Sequence, residues 1–354
     1  MRIAAARSRH ERIPLSRPYA IAGGSWDAAE MVFVELEADD GTRGYGQASP
    51  AEEVTGETAA GAAVELSAER LAWLVGRDVG ELDALRAELC ARVRGPATRA
   101  GVDMALFDLA AKQAGKPLVE WLGRAHGTLR TSITIGLKDV AETRAEAEEY
   151  VARGFTLLKV KTGADVELDL ERLAALRERL GEQVALRVDA NQGYDPRALR
   201  TFAARVDELG IELIEQPMKP EWDGELAAFP HLRPRLVADE SVHSSADLAR
   251  LARCGAPYGG VNIKLMKSGG PGGALELARA AQAAGLKLMW GCMDESVLGI
   301  AAALHCALAM SATAWLDLDG SFDLASDPFA GGFALRGDSL STLARPGLGA
   351  EPRP

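Results

Sequence analysis

The chain has 354 residues, of which 47% are hydrophobic and 26% are charged, as is ordinary for a soluble globular protein. Its formal net charge of −11 argues against a nucleic-acid partner, which would require basic patches. The four cysteines form no CxxC pair, so neither a zinc knuckle nor a redox pair is indicated, and a cytoplasmic location is expected.

The first part of the chain, residues 1–125, predicts a small α+β domain. The segment MVFVELEADDGTRGYGQAS (31–49) has two alternating runs around an Asp-Asp-Gly turn, which is typical of a hairpin. The glycine-rich stretch 19–27 before it predicts a mobile loop. Apolar residues recur at helical spacing over 100–114, and Gly115 and Pro117 follow. Strands followed by helices are typical of an α+β domain.

A different rhythm, strand then helix, begins near residue 126 and continues to 320. The apolar strand patterns are TSITIGL, TLLKVK, ALRVDAN, ELIEQP, LVADE, GGVNIKL, LKLMWGC and AWLDLD. Eight strands with helical crossovers predict a parallel sheet that closes into a barrel. The apolar run 299–316 is interpreted as a barrel helix and strand, not a membrane span. Residues 321–354 lack this rhythm and are expected to return to the first domain, with a frayed proline-rich end.

Three carboxylates stand at the ends of successive predicted strands. Asp189, Glu215 and Asp239 are spaced by about one strand–helix unit, and side chains at these ends of a parallel barrel form its site. Oxygen ligands without neighbouring His or Cys favour Mg²⁺ over zinc. The alternative is that these acids cap helices or pair with arginine. Asn191 and Glu240 lie just beyond and are interpreted as supporting partners of the ligands.

Lysines occupy two other predicted strands. Lys159 and Lys161 are two residues apart, so both point into the barrel, and their mutual repulsion would lower the pKa of Lys161 towards that of a general base. Lys264 lies on the sixth strand, across the barrel. Two bases on opposite faces of one carbon would invert that carbon. Lys267 is expected to lie in the loop that follows.

In this order, the motifs KxK, DAN, EQP, ADES and KLMKxGG resemble the enolase superfamily in its muconate-lactonizing subgroup. The resemblance covers nearly the whole chain. It implies an α/β fold, a modified (β/α)7β TIM-type barrel with an α+β capping domain. It further implies that Asp189, Glu215 and Asp239 bind Mg²⁺, that Lys161 and Lys264 move the α-proton through an enediolate, and that Lys159 tunes Lys161.

A further motif, AWLDLDGS, indicates which reaction of the subgroup to expect. Asp317 and Asp319 resemble the Asp-x-Asp of dipeptide epimerases, and a substrate ammonium between them would relieve their repulsion. The prediction is therefore a Mg²⁺-dependent dipeptide epimerase. The alternatives are cycloisomerases, o-succinylbenzoate synthases and N-acylamino acid racemases, whose substrates carry no free ammonium. A non-enzymatic Mg²⁺–carboxylate binding protein would be expected to lack one of the lysines or ligands.

The resemblance places substrate specificity in capping-domain loops near 19–27 and 49–57. Gly24 stands where Ala-Glu epimerases carry an arginine, which argues against an Ala-Glu substrate. Acids favour a cationic side chain and Trp26 favours an apolar one, while the alternative for the glutamates is ordinary surface solvation, so this choice stays open. The acids are Glu52, Glu53, Glu57 and Asp294, and Cys292 and Met293 are further candidates for lining the pocket. The expected partners are a dipeptide and further copies of the chain in a homo-oligomer, with no nucleic acid and no membrane.

Overall fold

The N-terminal part of the computed structural model is a three-stranded antiparallel sheet. The structure describes residues 1–21, 24–255 and 257–354, and only the backbone of residues 18–21, 24 and 25. The strands, in spatial order, are β1 (Ile3–Ile21), β2 (Gly24–Ala38) and β3 (Arg43–Ala48). The predicted hairpin around the Asp-Asp-Gly turn is confirmed by β2 and β3. The predicted loop over 19–27 is wrong, because backbone pairing such as Tyr19 with Trp26 extends β1 and β2 into it.

Helices follow this sheet in the chain. They are α1 (Glu52–Thr55), α2 (Ala59–Glu65), α3 (Ala68–Leu71), α4 (Leu82–Arg92), α5 (Pro96–Gln113) and α6 (Leu118–Leu122), with 3₁₀ turns at Ala72–Leu74 and Val79–Glu81. Of these helices, α2, α3 and α5 contact the sheet directly. The central helix α5 packs directly on β3 because glycines there leave room for it. A Cβ on Gly46 would lie 2.0 Å from the carbonyl oxygen of Gly101. Gly46 thus sets the close approach of helix and sheet.

Eight parallel strands form the second sheet. A short strand, β4 (Leu129–Arg130), precedes them. The eight strands are β5 (Ile133–Ile135), β6 (Leu157–Lys161), β7 (Ala185–Asp189), β8 (Ile211–Glu215), β9 (Leu236–Ala238), β10 (Gly260–Ile263), β11 (Lys287–Gly291) and β12 (Thr313–Asp317). The helices between them are α7 (Val140–Ala152), α8 (Val166–Leu180), α9 (Pro196–Ala203), α10 (Ser245–Cys254), α11 (Leu265–Ser268), α12 (Pro271–Ala283) and α13 (Val297–Ala309). Strands β5 to β12 pair in sequence order. A parallel bridge between Thr131 and Leu316 brings the first strand against the eighth. The predicted barrel is confirmed.

Two crossovers differ from the predicted pattern. The helix after β7, α9, ends at Ala203, and turns rather than further helix lead to β8. Between β8 and β9 the chain forms 3₁₀ helices, Pro220–Ala228 and Pro230–Arg235, in a proline-containing stretch. By contrast, the apolar run 299–316 forms α13 and β12 as predicted. No helix among the described residues is both long enough and apolar enough to cross a membrane.

The C-terminal segment is tied to both earlier parts of the chain. Its strands are β13 (Phe329–Gly331), β14 (Phe333–Arg336), β15 (Ser339–Thr342) and β16 (Ala350–Pro352). The N–H of Ser16 donates to the carbonyl of Asp323 at 2.6 Å, and the N–H of Ala325 donates to that of Pro14 at 2.9 Å. The frayed end expected for the last residues is wrong, because β16 pairs with β13 and Ala350 is buried.

Candidate active site

The predicted chemical groups meet at the carboxyl ends of the barrel strands. Lys159 and Lys161 lie on β6, Asp189 ends β7, and Glu215 ends β8. Asp239 and Lys264 are the first residues after β9 and β10. All six side chains are buried. Because β6 and β10 are four strands apart in a closed sheet of eight, Lys161 and Lys264 approach the barrel mouth from opposite sides.

The ammonium group of Lys159 lies among three carboxylates. Its Nζ is 2.6 Å from Asp317 Oδ2, 2.7 Å from Glu215 Oε2 and 3.1 Å from Asp189 Oδ2. Burial acts to lower the pKa of Lys159, but these carboxylates raise it well above its usual value. Lys159 therefore stays protonated at the centre of the cluster, and its charge offsets the repulsion among the acids.

Lys161 and Lys264 each contact one of the predicted metal ligands. Lys161 Nζ donates to Asp189 Oδ2 at 2.7 Å, and Lys264 Nζ donates to Asp239 Oδ2 at 2.8 Å. The expected lowering of the lysine pKa is wrong for this arrangement. Burial and Lys159 do act to lower the pKa of Lys161, but Asp189 outweighs them, so the net shift is upward. Burial likewise opposes a raised pKa of Lys264, which Asp239 and Glu215 produce.

The three acids fit a hard divalent cation by their chemistry. Asp189, Glu215 and Asp239 supply only oxygen atoms from neighbouring strands, the ligand set that Mg²⁺ prefers. Among the described residues no three acids already converge as a metal cage. Lysine ammonium groups lie between them instead, so a divalent cation would replace Lys161 and Lys264 on Asp189 and Asp239. Burial, followed by the charge of Asp189, raises the pKa of Glu215 to about 8, and the charge of a bound cation would act to lower it.

The two predicted supporting residues lie beside the cluster. The backbone N–H of Asn191 donates to Asp189 Oδ1 at 2.9 Å, and Asn191 Oδ1 accepts from Lys161 at 2.9 Å. Asn191 Nδ2 donates to Glu240 Oε1 at 3.3 Å. Asn191 has φ of 42°, a left-handed conformation that asparagine tolerates better than most residues. In this conformation its backbone N–H reaches the side chain of Asp189, the last residue of β7.

Two residues of the segment VNIKLMK play a part that the sequence reading missed. Asn262 Nδ2 donates to Glu215 Oε1 at 2.6 Å. The expected loop position of Lys267 is wrong, because Lys267 lies in α11, and its ammonium contacts Asp239 Oδ1. The alternation of side chains along β10 could have indicated that Asn262 and Lys264 share the inward face. No comparable pattern marks Lys267.

The aspartates of Asp-x-Asp lie together but have different partners. Asp317 Oδ2 accepts from Lys159, and Asp317 Oδ1 accepts from Ser132 Oγ at 2.6 Å. Asp319 lies two residues beyond the end of β12 and accepts from the backbone N–H of Thr134 at 2.7 Å. Burial, and then the charge of Asp317, raises the pKa of Asp319 to about 7. The cation expected between the two is thus supplied at Asp317 by the protein itself.

A cavity of about 550 Å³ opens above these groups, and the capping domain forms its roof. Several predicted specificity residues line it: Trp26, Glu52, Glu53, Cys292, Met293 and Asp294. Glu57 also lines the cavity, but its carboxylate accepts from the N–H groups of Ala97 and Thr98 at the start of α5. Gly24 begins β2, and beyond its backbone it lies outside the described part of the chain. Its predicted role stays a prediction.

A closed (β/α) barrel under an α+β cap, with carboxylates and opposed lysines at its mouth, defines a class of enzymes that act at carbon next to a carboxylate. The chain belongs to the enolase superfamily. Residues 3–123 match the mandelate racemase / muconate lactonizing enzyme N-terminal domain, and residues 142–354 match the enolase C-terminal domain-like family.

Relatives named as dipeptide epimerases cover nearly the whole chain. An L-Lys-D/L-Arg epimerase of Methylococcus capsulatus is 51% identical over 99% of each protein. An L-Lys-D/L-Arg epimerase of Desulforapulum autotrophicum is 47% identical over 96% of this chain and 97% of that protein. A crystal structure of the Methylococcus capsulatus dipeptide epimerase, complexed with Mg and L-Arg-D-Lys, has a TM-score of 0.96 at 50% identity and covers 99% of each chain.

Proposed function

We propose that this protein is a Mg²⁺-dependent epimerase of dipeptides with cationic side chains, and that it inverts the α-carbon of the C-terminal residue. The arrangement of Lys161 and Lys264 carries this proposal. They line one cavity from opposite sides of the barrel, with an oxygen-ligand cluster between them. One lysine can therefore reach each face of a single substrate carbon.

Proton transfer follows from that arrangement. Mg²⁺ held by Asp189, Glu215 and Asp239 would bind the carboxylate of the substrate and so make its α-proton more acidic. A cation on those oxygens would free Lys161 and Lys264 from their present carboxylate partners, Asp189 and Asp239. The neutral lysine on one face removes the α-proton with its Nζ, and the ammonium group of the other lysine delivers a proton to the opposite face. Reversal of the two roles returns the other stereoisomer.

The free amino end of the dipeptide meets Asp319. One oxygen of this carboxylate accepts from Thr134, and the residue lines the cavity. An N-succinylated substrate would instead bring a carboxylate against Asp317, Asp319 and Asp323, which line the same cavity. That repulsion favours a free ammonium and so a dipeptide over an N-acylamino acid.

Acidic residues around the cavity favour cationic side chains. Glu52 and Glu53 of α1 line it from the cap, and Asp294 lines it from the loop after β11. The names of the two L-Lys-D/L-Arg epimerases support the same choice. A second candidate, a preference for hydrophobic dipeptides, depends on Trp26, which is half-buried and also lines the cavity.

Deuterium exchange tests the proposal directly. The protein and Mg²⁺ are incubated in D₂O with separate pools of Lys/Arg dipeptides, hydrophobic dipeptides, Ala-Glu and N-succinyl-arginine, and mass gain is measured. We expect a gain of one mass unit that is fastest in the cationic pool. Exchange confined to the hydrophobic pool would favour the Trp26 candidate, whereas exchange confined to N-succinyl-arginine would refute dipeptide epimerisation.

Variants of the two lysines test the mechanism. Lys161→Ala and Lys264→Ala should each slow epimerisation by at least about 100-fold, the scale of general acid–base catalysis. Each should still exchange the α-proton of one stereoisomer, and the two variants should differ in which one. The matched control is Lys116→Ala, which removes an exposed lysine outside the site. Full epimerisation by both site variants would rule out a two-base mechanism.

A further inference from the structure

Lys267 is a lysine enclosed within the protein beside the site. It lies in the short helix α11, three residues after Lys264, and its side chain is 0% exposed. Lys264 lines the cavity, with a side chain that is 9% exposed. A fully enclosed ammonium group is costly unless the protein satisfies its charge and all its N–H groups. The contacts of Lys267 meet both conditions.

The ammonium of Lys267 has four oxygen acceptors. They are Asp239 Oδ1 and the backbone carbonyl oxygens of Asp239, Val242 and Asn262, at distances up to 3.1 Å. An ammonium group has three N–H donors. Every donor of Lys267 is therefore engaged within the protein. Lys267 has no proton to offer a substrate and cannot act as a third acid or base.

Lys264 and Lys267 share the carboxylate of Asp239, with one lysine on each oxygen. Lys264 donates to Oδ2 at 2.8 Å, and Lys267 contacts Oδ1. During catalysis Lys264 must leave Oδ2 to reach the substrate. When a cation takes Oδ2 from Lys264, Lys267 still holds the other oxygen, so the carboxylate of Asp239 keeps its orientation. Lys267 stays in place because its other acceptors are backbone carbonyls.

The same contacts extend to a second acid of the cluster. The carbonyl of Asn262 accepts from Lys267, and the side-chain amide of Asn262 donates to Glu215 Oε1 at 2.6 Å. The end of β10 is thus tied to Glu215 through Asn262 and to Asp239 through Lys267. Hydrogen bonds to the far oxygen of a ligating carboxylate orient it for the metal.

We propose that Lys267 is a positioning residue of the metal site: it permanently holds Oδ1 of Asp239, leaves Oδ2 for a divalent cation, and so keeps the carboxylate oriented when that cation replaces Lys264. This inference rests on the proposed function, since it assumes that Asp239 is a Mg²⁺ ligand. The two lysines of KLMK thus have different roles. Lys264 faces the substrate cavity, whereas Lys267 contacts only the protein.

The test compares Lys267→Met with the unsubstituted protein and with a matched control. The control, Lys287→Met, removes an exposed lysine at the start of β11, at the end of the barrel away from the site. Titration calorimetry on metal-free protein measures the Mg²⁺ dissociation constant, and steady-state kinetics at saturating Mg²⁺ measure kcat and KM. Loss of a supporting contact weakens metal affinity or activity about 10- to 100-fold. We expect Lys267→Met to bind Mg²⁺ 10- to 100-fold more weakly and to lose kcat with little change in KM.

The outcomes separate this inference from the proposed function. If the unsubstituted protein binds no Mg²⁺, the proposed function fails and this inference fails with it. If the unsubstituted protein binds Mg²⁺ and Lys267→Met binds it within twofold, only the positioning role is refuted. A fall in melting temperature with unchanged Mg²⁺ affinity would also refute it, because a purely structural lysine would have that effect.

A second measurement does not depend on a variant that folds. The native, unsubstituted protein is reductively methylated without metal and digested, and the lysines are read by mass spectrometry. Lys264 should be methylated through the cavity, and Lys267 should be modified only after unfolding. Methylation of Lys267 at the rate of Lys264 in native protein would show that Lys267 is not held as described.

Discussion

Asp319 gives a test that separates substrate binding from metal binding. Its carboxylate is buried, at 6% exposure, lines the cavity, and uses one oxygen to accept the N–H of Thr134 at 2.7 Å. In Asp319→Asn the amide oxygen can still accept that N–H, so the fold should be retained. The negative charge that would hold the ammonium group of the dipeptide is lost. A hydrogen bond to a charged group contributes about 1.5–3 kcal/mol, which corresponds to about a 10- to 140-fold increase in KM.

Asp317→Asn is the matched comparison because the same change is made two residues away. The charge of Asp317 faces Lys159, whose ammonium also contacts Asp189 and Glu215. Loss of that charge should displace Lys159 and change Mg²⁺ affinity, whereas Asp319→Asn should leave the Mg²⁺ dissociation constant within about twofold. Steady-state kinetics with a Lys/Arg dipeptide and calorimetry with Mg²⁺ measure both effects. An unchanged KM in Asp319→Asn, or equal changes of Mg²⁺ affinity in both variants, would refute this division of roles.

Three further outcomes are expected. The value of kcat/KM should rise with pH through about 7 and should not do so in Asp319→Asn. The reason is that burial raises the pKa of Asp319 to about 7, and Asp319 can hold an ammonium group only when it is ionised. Glu57→Ala should lower the free energy of unfolding by about 1–2 kcal/mol in urea titrations, since Glu57 caps α5, whereas the exposed Glu53→Ala should not. Asp294→Asn should lower kcat/KM for cationic dipeptides about tenfold while leaving hydrophobic dipeptides unaffected; an equal loss for both would mean that Asp294 does not select charge.

The barrel and the positions of its chemical groups were accessible from the sequence because both depend on short-range patterns. A buried parallel strand is an apolar run, and a charged residue at its end is easily seen. The two-residue period of a strand correctly places Lys159 and Lys161 on one inward face of β6. Strand order follows from the succession of crossovers, so β6 and β10 can be placed across the barrel before any distance is measured.

The missed features depend on partners that are distant in the chain. Glu57 appeared to be a pocket acid, yet its carboxylate caps a helix that begins about 40 residues later. Asp317 appeared to need a substrate cation, yet Lys159 of β6 already donates to its carboxylate. Nothing in the local pattern of either residue distinguishes these contacts from the expected ones. The end of the barrel at which a side chain lies is predictable from the sequence. Which of several nearby oxygen atoms an ammonium group contacts is not.

The pKa of Lys161 was also predicted wrongly because its main partner is distant in the chain. The sequence interpretation considered the nearest like charge, Lys159 beside Lys161, and expected a lowered pKa. In the structure Lys161 lies 2.7 Å from Asp189, and that opposite charge outweighs the repulsion. A lysine that stays paired with a carboxylate is a poor base. A cation bound by Asp189 and Asp239, as proposed, would therefore do more than hold the substrate, because it would also displace both lysines from the carboxylates that keep them protonated. Catalytic lysines that pair with metal ligands in the absence of metal couple base strength to metal occupancy, so a variant that weakens Mg²⁺ binding should also shift the pH dependence of kcat to higher pH.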